Sequence, residues 1–283
     1  YDALWGIVLA LIVVNVILIR MGLSLFNREE LLGREIDQLS LRGTWHKLRQ
    51  YWAAPTPNDQ PQRFSLGRMY RRHIPAALKR QRSAVLAVGA AMIVGVSVAW
   101  IIGSQIALPE TTLASLRDGF ANLSLASFSG ENFAMILPAA KDNVFLAIFE
   151  NNARSLLLGG VLSLFSFGAL GVVLLLAATA PLGFIAPIVG MAGLNPALFM
   201  LAFIAPHGIV ELPAALIATA AALRVGASLV HRNPNLTLGE GWLLALVDFV
   251  KLFVFVVLPL LVLAALAEAY VTPQVVCLVY GCR

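Results

Sequence analysis

The stretch Phe203-Ile204-Ala205-Pro206-His207-Gly208-Ile209-Val210-Glu211-Leu212-Pro213 sets a histidine, a glutamate and two prolines inside a nearly uncharged run from Ser155 to Leu223. His207 and Glu211 are four residues apart and face one side of a helix. Pro206 and Gly208 beside them remove a backbone donor and loosen helical structure. Ionisable groups and freed backbone at bilayer depth are costly unless they face protein or water. The segment therefore predicts a membrane-embedded helix break, formed by Pro206, Gly208 and Pro213, and marks the functional locus of the chain.

Composition agrees with a membrane setting. Of 283 residues, 59% are hydrophobic and 12% charged, with a mean hydropathy of +0.84. Soluble domains carry roughly 25% charged residues, and here the apolar residues gather into runs able to cross a hydrocarbon core about 30 Å thick. The reading is a polytopic membrane protein with no room for a soluble enzyme domain of ordinary size. The chain begins at Tyr1 rather than Met, as expected of a processed or truncated chain. Net charge is +5, and twelve of the twenty basic residues lie between Asn27 and Ser83. The positive-inside rule makes that segment cytoplasmic. Basic residues beside two spans suit anionic lipid or an acidic partner, and no nucleic-acid motif accompanies them. Cys277 and Cys282 lie in a C-terminal tail where an external location allows a disulfide.

Apolar length and periodicity predict an all-α membrane bundle of about six segments. The first span is about Ala3 to Phe26, with Arg20 snorkelling at its end. A basic cytoplasmic linker over 44–83 follows, with Pro55, Pro57 and Pro61 at its centre. A second span covers Ala84 to Leu108, and the mixed stretch 109–138 lies outside as short interfacial helices. A third segment starts polar near Ala139, with Glu150, Asn151, Asn152 and Arg154, and runs apolar to Thr179. Between 181 and 230 two segments broken by Pro and Gly are expected, with Phe-Ile-Ala-Pro at both 184–187 and 203–206. Paired interruptions point to a midplane site in transporters. The last span covers Gly241 to Ala267, and an external tail occupies 274–283. Small residues such as Gly159, Gly160, Gly168, Gly171 and the alanines of 214–222 allow close helix packing.

The Pro206-His207-Gly208-x-x-Glu211 core, Phe149-Glu150-Asn151-Asn152, Gly159-Gly160 and Glu268-Ala269-Tyr270-Val271-Thr272-Pro273 together resemble the stage II sporulation protein M family, over about Gly67 to Pro273. The resemblance implies a multi-pass inner-membrane protein, and the sporulation members of that family scaffold a septal complex with peptidoglycan-degrading partners. Residues 1–43 carry a second likeness. Phe26-Asn27-Arg28-Glu29-Glu30-Leu31-Leu32-Gly33-Arg34-Glu35-Ile36-Asp37 after an apolar span is similar to the end of ABC-2 class permeases, which implies an export complex with a separate ATPase. The chain itself has no GxxxxGK[ST] phosphate loop.

Two readings of His207 and Glu211 stand side by side. They are a polar staple hydrogen-bonding across a helix break, or a proton-responsive or cation-binding pair. Glu150 and Arg154, one turn apart, read as an interfacial ion pair; alternatively Glu150, Asn151 and Asn152 reach His207 in one polar network. Asp248 and Lys251, at i and i+3, are expected to neutralise each other. A structural zinc site is not expected, because His46, His73 and His231 fall in or near cytoplasmic segments and no Cys is near His207. Glu29-Glu30-x-x-x-Arg34, Phe203-x-x-x-His207 and His231-x-x-x-Asn235 fit, as bare strings, the motifs of CAAX-processing intramembrane proteases, but the expected topology parts His207 from His231. The expectation is a non-catalytic subunit of a membrane complex, without cofactor or metal, with lipid and other membrane subunits as partners. It is either an ABC-export permease component or a scaffold. Glu211→Gln should then matter more than Leu212→Ala, with Leu212 read as lipid-facing.

Overall fold

The computed structural model describes residues 41–57, 59–229 and 236–282. The expected first span, the permease-like residues before 41 and His231 lie outside them. The described residues contain no strand. Their main helices are α1 (Leu41–Ala53), α2 (Leu66–Gln105), α3 (Glu110–Ala121), α4 (Val144–Phe165), α5 (Ala169–Met191), α6 (Pro196–Ala227) and α7 (Leu238–Tyr280). Among the described residues four helices, α2, α5, α6 and α7, are long and apolar enough to cross a membrane. α4 has 22 residues but carries Glu150, Asn151, Asn152 and Arg154 in its first half, which lowers its apolarity. The protein is thus an all-α membrane bundle.

Helix boundaries depart from the sequence reading at instructive places. The run from Ala139 to Thr179 is not one span: the chain turns at Ser166–Gly168, where Phe167 has φ 51° and Gly168 φ 94°. The Gly168 amide donates to the Ser163 carbonyl at 2.8 Å, a left-handed closure of a helix C-terminus. A Cβ on Gly168 would also meet the Leu223 Cα of α6 at 2.8 Å. Conversely, Pro181 and Pro187 sit inside α5 and Pro213 inside α6, and neither helix ends there.

Where proline does perturb a helix, it widens it. Wide π turns occupy Met69–His73, Met200–Ile204, Phe253–Val257 and Ala267–Val271. Each ends two residues before a proline, namely Pro75, Pro206, Pro259 and Pro273. A proline lacks its N–H and crowds the carbonyl four residues back, and a local π adjustment relieves both. The break expected at Pro206 and Gly208 is therefore a widened turn inside a continuous α6. Residues 66–83, read as linker, are the first turns of α2, and α7 continues through 274–280 of the expected tail to Tyr280. Cys277 and Cys282 form a disulfide at its end.

α6 is central. Its small residues Ala214, Ala218, Ala221 and Ala222 pack with Ile74 and Ala77 of α2 and with Leu252, Val257 and Leu261 of α7. Short side chains let these backbones approach, which is how helices associate where lipid supplies no hydrophobic contrast.

Asp248 and Lys251 anchor one end of the bundle, but with other partners than each other. Asp248, 0% exposed, accepts from Arg80 Nε at 2.8 Å and Nη2 at 2.6 Å, and from Arg224 Nη1 at 2.7 Å. Arg80 also donates to the Pro55 carbonyl at 2.9 Å. Lys251, 1% exposed, donates to the carbonyls of Tyr51 at 2.7 Å and Ala54 at 3.2 Å, and its Nζ lies 3.2 Å from His73 Nδ1. A cation at the last carbonyls of α1 meets the negative end of that helix. Burial also holds the Tyr51 hydroxyl above its usual phenol range, with the Glu240 carboxylate adding to the effect. The apolar face of α1, with Tyr51 and Leu48, packs on Leu243, Leu244 and Val247. Lys251→Met should release α1. Charge-assisted hydrogen bonds contribute about 1.5–3 kcal/mol each, so tryptic cleavage at Arg49 should accelerate about tenfold or more, and unchanged cleavage would refute the fastening.

An intramembrane polar cavity as candidate functional site

Four helices line a partly open cavity of about 380 Å³. α4 contributes Asn151, Asn152 and Ser155, α5 Leu175, Thr179 and Leu182, α6 His207, Gly208, Glu211 and Leu212, and α7 Glu268. The local causes are plain. The i, i+4 spacing points His207 and Glu211 the same way, and glycines at 159, 160 and 171 lie in the lining, where a Cβ on Gly160 would run into the Phe249 ring and one on Gly171 into the Ser163 hydroxyl. The π turn Ala267–Val271 carries Glu268, and π turns recur at functional sites.

The polar groups are held in place. Asn152 Nδ2 donates to Glu211 Oε1 at 2.9 Å, and Asn151 Nδ2 donates to Asn152 Oδ1 at 3.3 Å. His207 Nδ1 lies 3.3 Å from the buried Thr272 hydroxyl of α7. The ligand atoms of His207, Glu211 and Glu268 all lie within 4.8 Å of one another. Among the described residues, no lysine or arginine pairs with either carboxylate. Thermodynamically such a group of acids needs neutralising by something other than a basic side chain.

The sequence-based candidates divide. His207, Glu211, Asn151 and Asn152 come together. Glu150 and Arg154 are both exposed, neither lines the cavity, and no ion pair joins them among the described residues. Pro206 and Pro213 flank the site along α6, while Gly208 lines it. Asp248 and Lys251 belong to the other end of the bundle. Glu268 follows Asp248 by twenty residues of helix, or about 30 Å at 1.5 Å per residue. Glu211, Glu268 and His207 therefore lie toward the end of the bundle opposite α1. Of the protease strings, Phe203 stacks on Phe199 with ring centroids 4.9 Å apart, and the residues of the other two motifs lie outside the described ones.

Glu268 is the residue that sequence reading passed over. In the sequence it marks the end of the last span and opens the Glu268–Pro273 stretch of the family resemblance, without a place among the site candidates. The signal was present: it is the one acid between Phe249 and Tyr280, which is the same reason that singled out Glu211. Leu212, read as lipid-facing, lines the cavity instead, whereas Ile209 is 72% exposed. Glu211→Gln should therefore perturb thermal stability or complementation while Ile209→Ala leaves both within about 0.5 kcal/mol or its equivalent; equal, negligible effects would sink the assignment.

The family model for stage II sporulation protein M matches residues 84–273. The chain belongs to the stage II sporulation protein M family. Neither a curated protein nor a solved structure matches it. The whole cavity lies within the segment matched to stage II sporulation protein M, from Leu137 to Glu268, whereas α1 and Arg80 precede it. The site is thus built from the stage II sporulation protein M part of the chain, and α1 is an addition docked against that part.

Proposed function

We propose that the protein is a non-catalytic, multi-pass subunit of the bacterial cytoplasmic membrane that works as the permease component of an ABC-type export complex. The polar cavity in an otherwise apolar bundle carries this reading. Placing polar groups at membrane depth is costly, and a substrate or ion path needs them facing an internal space. Counting α4 and the segment 3–26 with the four apolar helices gives the six spans of this reading. The Arg-rich end with α1 faces the cytoplasm and the end with the Cys277–Cys282 disulfide faces outward, where disulfides persist. Energy comes from a separate ATPase subunit, and lipid and further membrane subunits complete the assembly.

Affinity purification of the native protein identifies the partners, and reconstitution with a co-purifying ATPase tests the role. Candidate substrates should stimulate ATP hydrolysis, and His207→Ala or Glu211→Ala should abolish most of that stimulation. Full complex function in both variants would instead support a scaffold that organises envelope partners. Orientation has its own check: a membrane-impermeant reagent applied to intact cells should leave cysteines placed in 44–57 unlabelled.

A further inference from the structure

The geometry points to a divalent-cation site formed by His207, Glu211 and Glu268. It goes beyond the export reading and does not depend on it. One imidazole nitrogen and two carboxylates converge from α6 and α7, with their ligand atoms within 4.8 Å of one another, and they face a cavity of about 380 Å³. A single cation therefore reaches all three and still has open positions toward the cavity.

Charge and support both fit. Among the described residues no basic side chain pairs with Glu211 or Glu268, so a divalent ion neutralises the two carboxylates. Metal ligands are oriented by outer hydrogen bonds, and two are in place. Asn152 Nδ2 fixes Glu211 Oε1 at 2.9 Å, and the Thr272 hydroxyl engages His207 Nδ1 at 3.3 Å, leaving Nε2 as the ligand nitrogen. A donor set of one nitrogen and two carboxylates suits a first-row divalent ion such as Mn2+, Fe2+ or Zn2+. Histidine and cysteine positions in the sequence give no sign of this site, because its third ligand is a glutamate from α7.

The test uses the full chain in lipid nanodiscs, stripped with chelator and titrated with Mn2+ under electron paramagnetic resonance. One Mn2+ per chain should bind, with one coupled imidazole nitrogen, and Zn2+ should displace it. Glu268→Gln and His207→Ala should weaken binding by about 100-fold and Asn152→Ala by about tenfold, while Glu131→Gln, an exposed acid, should leave it unchanged. Absence of saturable Mn2+ and Zn2+ uptake by the parent chain, which is the outcome if protons alone neutralise the carboxylates, overturns the proposal. So does a bound Mn2+ without nitrogen coupling, or parental affinity in a folded Glu268→Gln variant. Should that variant fail to fold, Glu268→Asp and the nitrogen coupling of the parent chain decide.

Discussion

Asp248→Ala should be the most damaging single substitution in the bundle. The carboxylate is fully buried and holds two guanidiniums, Arg80 through two hydrogen bonds and Arg224 through one. Removing it leaves two cations facing each other without a counter-charge. Breaking a buried ion pair from one side costs about 3–5 kcal/mol, a large part of an ordinary stability of roughly 5–15 kcal/mol. The expected result is loss of monodisperse protein in detergent, or a melting point depressed by many degrees. Arg80→Met should cost less, because Arg224 still satisfies one oxygen. If Asp248→Ala and Arg80→Met melt together near the parent temperature, the ion cluster does not hold α2, α6 and α7.

Gly183→Ala should be the next most damaging. α2 and α5 pack along their lengths, and a Cβ at Gly183 would run into the Val96 carbonyl oxygen. The same crossing recurs two turns along α2 at Gly103, where a Cβ would meet the Phe184 carbonyl oxygen at 2.7 Å. Backbone atoms cannot rotate aside as a flexible side chain can, so the helices must separate. Overpacking of this kind costs about 1–3 kcal/mol, and Gly183→Leu should cost more. A thermal melt of both variants checks this; Gly119→Ala, where nothing lies within 4 Å of the added carbon, is the comparison. Equal melting of all three would show that α2 and α5 do not meet as closely as described.

The membrane class and the family were legible in the chain because they rest on composition and on one dense motif. The helix limits were less so, for a physical reason. Proline reads as a breaker, which holds in water, where a freed carbonyl and a crowded turn favour another conformation. In an apolar bundle leaving the helix exposes still more backbone, so the chain widens by one residue instead and continues. The real turn at Ser166–Gly168 contains no proline; in sequence Gly168 signals only a small residue, not the left-handed backbone that it adopts. The site was half legible. His207 and Glu211 announce each other by spacing along one helix, and Asn152 belongs to the second motif, Phe149 to Asn152, whose polar groups are expected to reach them. Glu268 and Thr272 reach the site only through the packing of α7 on α6, and no spacing rule connects positions sixty residues apart. Asp248 and Lys251 show the converse error. Their i, i+3 spacing is real, yet long-range partners outcompete the local pair, since a bidentate guanidinium and the open carbonyls of α1 offer more than one strained contact.

The separation of the two polar layers has a consequence for the lipid. Asp248, which holds its arginines from α2 and α6, and Glu268, which faces His207 of α6, lie about 30 Å apart on α7, close to the thickness of a hydrocarbon core. The arginine cluster ties α2, α6 and α7 together at one level, so these helices cannot tilt singly to relieve hydrophobic mismatch. The lipid must adapt instead, at a cost of fractions of a kcal/mol per Å. The bundle therefore meets a change of acyl-chain length as one unit.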